Sequence, residues 1–174
     1  MKRILNEYGK PILFALLIAI LITAIIRPTL VREYSMYPTI APYSYIIVNK
    51  IPYVFGMPAY EDIIVFRTNI ATDHDEGKRL IKRVIGVGGD VIEITDGEVY
   101  RNGKKLNEKY LEEGISSGEM PPFTVTADHV FVMGDNRPVS LDSRDTAVGE
   151  VELKDILGRV DFRLFPFNQI GAVK

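Results

Sequence analysis

Residues 11–26, PILFALLIAILITAII, run without a charge and without a polar stripe along any helical face. Such a stretch has to leave water, either into lipid or into a protein core, and that choice decides the architecture. As a helix, sixteen residues rise about 24 Å, a little short of the ~30 Å hydrocarbon core of a bilayer. Lys10 and Arg27 close the gap by snorkelling, and Leu30 and Val31 extend the apolar surface. Pro11 suits the first helical position, where its missing N–H has no partner to lose. Three readings compete. A cleaved secretory signal carries an apolar region of ~7–15 residues followed by a small-x-small site, and RPTLVREYS offers none. A buried core helix is the second, and a transmembrane anchor, which length and flanks favour, is the third. Lys2, Arg3 and Lys10 precede the run while Arg27 and Arg32 follow it, a small bias toward a cytoplasmic N-terminus. The expected organisation is a cytoplasmic N-terminus over 1–10, a transmembrane helix over 11–27 and an extracytoplasmic domain over 28–174.

Within 174 residues this leaves room for one domain with its own core. The 21 Lys+Arg against 23 Asp+Glu, net charge -2, argue against a general nucleic-acid binder. Cysteine is absent, which removes disulfides, thiolate metal sites and a thiol nucleophile. His74 and His129 lack metal-ligand spacing, so neither metal nor cofactor is expected. Beyond Val31 the pattern is of short strands rich in β-branched and aromatic residues: 43–50, 62–67, 80–87, 90–95, 129–135 and 158–167. Asp96-Gly97 and Asn102-Gly103 suit tight hairpin turns. Residues 71–78 and 107–123 read as polar excursions. The predicted fold is a mostly β domain, a sheet or partial barrel.

Three segments carry chemistry-bearing residues. In VREYSMYPTI, residues 31–40, Ser35 follows the apolar run closely and is either a turn residue or a nucleophile held near a membrane. In KRLIKRVIGVGGD, residues 78–90, strand alternation puts Leu80, Lys82 and Val84 on one face and Ile81, Arg83 and Ile85 on the other. The bland reading is a solvated face or an anionic-lipid patch. If one cation lies inside, a lysine can lose its proton as burial lowers its pKa, whereas arginine cannot. Lys82 is therefore the candidate base and Arg83 a surface or ion-pair residue. In GDNRPVSLDSR, residues 134–144, the alternatives are an ordinary surface loop and a hydrogen-bonded network in which Asp142 and Arg144 pair across one extended face and Ser140 offers its hydroxyl to a neutral lysine.

SMYPT after an apolar run, KRVIGVGGD on a strand and GDNRPVSLDSR near the C-terminus occur in that order, and the chain resembles bacterial type I signal peptidases, the Ser/Lys leader peptidases. EDIIVF (61–66) and GRVDFRLFPF (158–167) support the match. The resemblance implies a coiled β-sheet catalytic domain with one N-terminal transmembrane helix. It implies Ser35 as nucleophile, Lys82 as general base, Ser140 orienting the lysine, and Asp135, Asp142 and Arg144 holding the site. The implied activity is removal of signal peptides from secretory preproteins after small residues at −1 and −3, without a cofactor. The partners are the preprotein and a phospholipid membrane, with no nucleic acid. Met36 and Ile40 are candidate substrate-binding residues, with ordinary core packing the favoured reading for Ile40. Residues 52–58 are either a loop dipping into lipid headgroups or an ordinary apolar loop.

Two departures from the family pattern stand out. Glu33 occupies the position two before Ser35 where relatives carry Ser or Gly, and alternation would aim it toward the oxyanion. Gly88 stands where Pro is common. Glu33 gives some support to a catalytically impaired homologue acting as a preprotein-binding module. A self-cleaving repressor-type Ser/Lys protease is a third class, disfavoured by the anchor and the lack of a DNA-binding segment.

Overall fold

The structure, a computed structural model, describes residues 2–71 and 77–173; the side chains of residues 2–7, 21, 22 and 24, and His74 with most of the 71–78 excursion, lie outside the described residues. The chain begins with helix α1, Lys2–Ile25. It starts earlier than expected, and Pro11 lies inside it rather than at its first turn. The helix also stops before residue 27. Arg27 precedes Pro28, and a residue before proline is pushed out of the helical region toward extended geometry, so the chain continues as strand β1, Ile26–Leu30. Every described side chain from 11 to 20 is exposed, which removes the buried core helix from consideration. Among the described residues no helix is long and apolar enough to cross a membrane.

The remaining elements follow in order. They are β2 (Tyr45–Asn49), α2 (Pro52–Phe55), β3 (Ile63–Arg67), β4 (Arg79–Val87), β5 (Val91–Thr95), β6 (Glu98–Arg101) and β7 (Lys104–Lys105). After them come β8 (Met120–Thr124), β9 (His129–Met133), β10 (Val151–Glu152), β11 (Ile156–Phe165) and β12 (Gly171–Ala172). A large antiparallel sheet has the order β1-β2-β11-β3-β4-β9-β10, with β12 beside β11; a smaller one has the order β7-β6-β5-β8. The mostly β expectation holds. Both tight turns form as read: Asp96 and Gly97, then Asn102 and Gly103, take the positive φ that primed hairpin turns require. The 107–123 excursion is corrected at its end, where β8 pairs with β5. Pro121 and Pro122 lie within it, and β8 is an edge strand, where a missing N–H is tolerated.

β3 places Ile63 and Val65 in one core cluster, with Val31, Met36, Ile40, Ile46, Val48 and Val160. It places Ile64 and Phe66 in a second, with Leu80, Val84, Val130 and Val132. A third cluster joins Ile85, Phe131 and Met133 to Ile92, Ile94 and Val99 of the small sheet. The centre of the large sheet is thus covered on both faces, and β4, between β3 and β9, runs through it.

Candidate active site

Ser35 sits in a loop pinned at several points. The Val31 N–H donates to the Ser44 carbonyl at 2.9 Å and the Tyr43 N–H to the Val31 carbonyl at 2.7 Å. The Ile40 N–H closes a turn onto the Met36 carbonyl at 2.7 Å, with both side chains fully buried beneath. From the other side, the Asn136 N–H donates to the Ser35 carbonyl at 3.0 Å and Asn136 Nδ2 to the Tyr34 carbonyl at 3.2 Å. Gly134 permits this approach. A Cβ there would lie 2.4 Å from the Ser35 carbonyl oxygen and 2.2 Å from Ser140 Oγ.

Lys82 reaches the same place from β4. Its Nζ donates to Ser35 Oγ at 2.7 Å and to the Ile81 carbonyl at 3.1 Å, and the residue is 1% exposed. Burial lowers its pKa from 10.5 to about 8; Asp142, Glu33 and Asp135 oppose that shift and Lys78 adds to it. Roughly a tenth of this amine is therefore neutral at pH 7, far more than for an ordinary lysine, with a hydroxyl in hydrogen-bond contact.

Around the pair lie buried ion pairs. Arg83, expected at the surface or in an ion pair, is 1% exposed and bidentate to Asp135, at 2.9 and 2.7 Å. Its guanidinium also stacks 3.8 Å over the ring of Tyr110. Alternation did separate the two cations, but with both faces of β4 covered, both are inside. Asp142 and Arg144 pair as expected, bidentate at 2.8 and 2.9 Å, though across a turn rather than an extended face. Asp142 also accepts the Gly134 N–H at 2.9 Å. The expected contact from Ser140 to Lys82 is not made: Ser140 Oγ is enclosed beside Gly134 without a hydrogen-bond partner. Arg137, which the motif contained but sequence reasoning gave no role, is buried, pairs with Glu108 and Ser117 Oγ, and donates to the Gly134 carbonyl at 3.0 Å. Arg137 could have been suspected from its place in GDNRP. Glu108, in a polar excursion far upstream, gave no signal.

A cleft of about 580 Å³ opens beside Ser35, walled by residues 29–36 on one side and 77–81 on the other. Met36 lines it, but Ile40 does not; the substrate-binding expectation for Ile40 is corrected to core packing, with the side chain 0% exposed. Glu33 also departs from expectation. Residues 31–33 belong to no strand, so alternation does not govern them, and the carboxylate pairs with Lys78 across the cleft at 2.7 Å. Among the described residues no cluster of His, Cys, Asp or Glu could hold a metal ion.

Comparison with known proteins gives one consistent result. A family model described as signal peptidase, peptidase S26, matches residues 5–165. Signal peptidase I T of Bacillus subtilis (strain 168) is 35% identical over 178 residues, covering 97% of this chain and 89% of that protein. Signal peptidase I of Bacillus licheniformis is 36% identical over 180 residues, covering 97% and 93%. The crystal structure of a signal peptidase I from Enterococcus faecalis V583 aligns with a TM-score of 0.49 at 30% identity, over 59% of this chain and 96% of that one.

Proposed function

The chain belongs to the signal peptidase family, peptidase S26, whose activity is removal of signal peptides by a serine endopeptidase, and from that premise we propose that Ser35 and Lys82 form its catalytic dyad. The observation that carries this reading is the 2.7 Å contact between Ser35 Oγ and an amine that is 1% exposed. Neutral Lys82 accepts the Ser35 proton as Oγ attacks the carbonyl before the scissile bond. The resulting ammonium returns that proton to the leaving amine. Water then hydrolyses the acyl-enzyme with Lys82 again as base. The backbone N–H of Ser35 is one oxyanion donor. Asp142, Asp135, Arg144 and Arg83 act by fixing the loop that presses on Ser35, with Ser140 packed against the same glycine. The catalytically impaired alternative rested on Glu33, and Glu33 pairs with Lys78.

The substrate is a secretory preprotein bound extended in the cleft, with small residues at −1 and −3. The apolar helix anchors the chain in the membrane, N-terminus cytoplasmic and β domain outside; its uncharged run and the exposure of its described side chains on every face support this. β1 connects it directly to the Ser35 loop, keeping the nucleophile within about 30 Å of the bilayer. The test is processing of a preprotein by the purified full chain. The expected result is cleavage by the wild type, with Ser35→Ala inactive and Lys82→Ala reduced by ~10²–10⁴-fold. Retained processing in either variant contradicts the dyad.

A further inference from the structure

We infer that Glu108 and Tyr110 are positioning residues for the dyad: the segment between β7 and β8 sets the reactivity of Ser35 by holding Arg83 and Arg137 in one clamp. This rests on the peptidase reading of Ser35 and Lys82 and adds residues from outside the three motifs. Residues 106–119 form neither helix nor strand. Glu112, Glu113 and Glu119 of this segment stay exposed. Glu108 does not: its side chain is 7% exposed. Ser117 is buried too, and its N–H donates to the Gly97 carbonyl at 2.8 Å, which ties the segment to the hairpin turn between β5 and β6.

Two arms leave the Glu108 carboxylate. One runs through Arg137, whose fully buried guanidinium donates to both carboxylate oxygens and, through Nε, to the Gly134 carbonyl at 3.0 Å. The other runs through Tyr110. Its hydroxyl donates to Glu108 Oε1 at 2.6 Å, and its ring lies 3.8 Å from the Arg83 guanidinium. Burial and the adjacent carboxylate push the phenol pKa up, so the hydroxyl remains a donor. Arg83 in turn holds Asp135, which also accepts the hydroxyl of Thr39 from the Ser35 loop. Both arms end beside the chemistry. Arg83 directly follows Lys82 on β4. Gly134 and Asp135 directly precede Asn136, whose N–H donates to the Ser35 carbonyl at 3.0 Å. Neutralising Arg137 needs only the carboxylate. The tyrosine bound to that same carboxylate and stacked on Arg83 is what couples β4 to the 134–144 loop, and charge-assisted contacts make that coupling stiff. Reacting groups held at 2.7 Å lose rate steeply when displaced by about 1 Å.

The experiment measures preprotein processing by the full chain in detergent micelles, with kcat expressed per folded molecule from circular dichroism. Glu108→Gln is expected to lower kcat about 10–100-fold while KM stays within about twofold. Tyr110→Phe keeps the ring over Arg83 and lowers kcat about threefold; Tyr110→Leu removes both contacts and lowers it further. In an Arg137→Gln background, Glu108→Gln costs no more than about a further twofold, because the arm it acts through is already cut. Lys105→Gln breaks an exposed pair with Glu98 on the same small sheet and leaves kcat unchanged. Amide hydrogen exchange reads the clamp without turnover: the Asn136 N–H exchanges about tenfold faster in Glu108→Gln and at the wild-type rate in Lys105→Gln. An unchanged kcat per folded molecule in Glu108→Gln, a loss carried by KM, or full additivity with Arg137→Gln overturns the inference. A wild-type chain that cleaves nothing contradicts the peptidase reading instead; the exchange rates then decide the clamp, and unchanged protection of Asn136 overturns it.

Discussion

Lys82 concentrates the tension between stability and activity. Its pKa falls from 10.5 to about 8 chiefly through burial, and at ~1.4 kcal/mol per unit this is a cost on the order of 3 kcal/mol at neutral pH. The unfolded chain binds the proton more tightly, so between about pH 8 and 10.5 stability rises with pH. Below pH 8 the full cost is present. Lys82→Met is therefore expected to be inactive but more stable than wild type at pH 7, by about 1–3 kcal/mol, with the difference shrinking toward pH 10.5; denaturant unfolding at the two pH values measures it. Arg83 behaves oppositely. It keeps its charge and is bound twice by Asp135, both side chains at most 1% exposed. Asp135→Ala strands that guanidinium and is expected to destabilise by about 3–5 kcal/mol in the same assay. Lys82 was legible from alternation because lysine is the cation that responds to burial by losing its proton. The burial of Arg83 was not, since a strand covered on both faces looks locally like one covered on a single face.

Among the elements, β4 carries Lys82 of the proposed dyad while two loops, residues 31–40 and 134–144, carry and brace Ser35. Their meeting point is Gly134, whose lack of a side chain lets the Ser35 carbonyl and Ser140 approach. Gly134→Ala is expected to fold yet misplace Ser35, lowering kcat by about 10²-fold with a smaller change in KM; steady-state kinetics beside a circular-dichroism spectrum separate these effects. The strands and both tight hairpins were readable from β-branched runs and from Asp-Gly and Asn-Gly turns. β8 was not, because its two prolines are tolerated only on an edge, and edge position is a property of the assembled sheet. Glu108 and Ser117 were invisible for a related reason. Their roles arise only when a polar excursion folds back onto Arg137.

For the whole molecule, α1 leads through β1 to the loop that carries Ser35, and the proposed membrane anchoring would tie the proposed reaction to a surface. The full chain is expected to float with vesicles through a high-salt wash. Leu16→Arg with Leu17→Arg, at roughly 2.5–3.5 kcal/mol per charge, is expected to release it, read by flotation. The order of the three motifs along the chain was sufficient to identify the family; the way the cleft distributes its cations needed coordinates, since Arg27, Lys50, Arg67 and Lys78 come from four separate segments. The account's central claim is that a neutral, enclosed Lys82 activates Ser35. The most direct measurement is the single-turnover acylation rate of a preprotein as a function of pH. It is predicted to rise with unit slope and level off above an inflection near pH 8, where the amine has lost its proton. An inflection near the free-lysine value of 10.5, or a rate flat from pH 6 to 9, would contradict it.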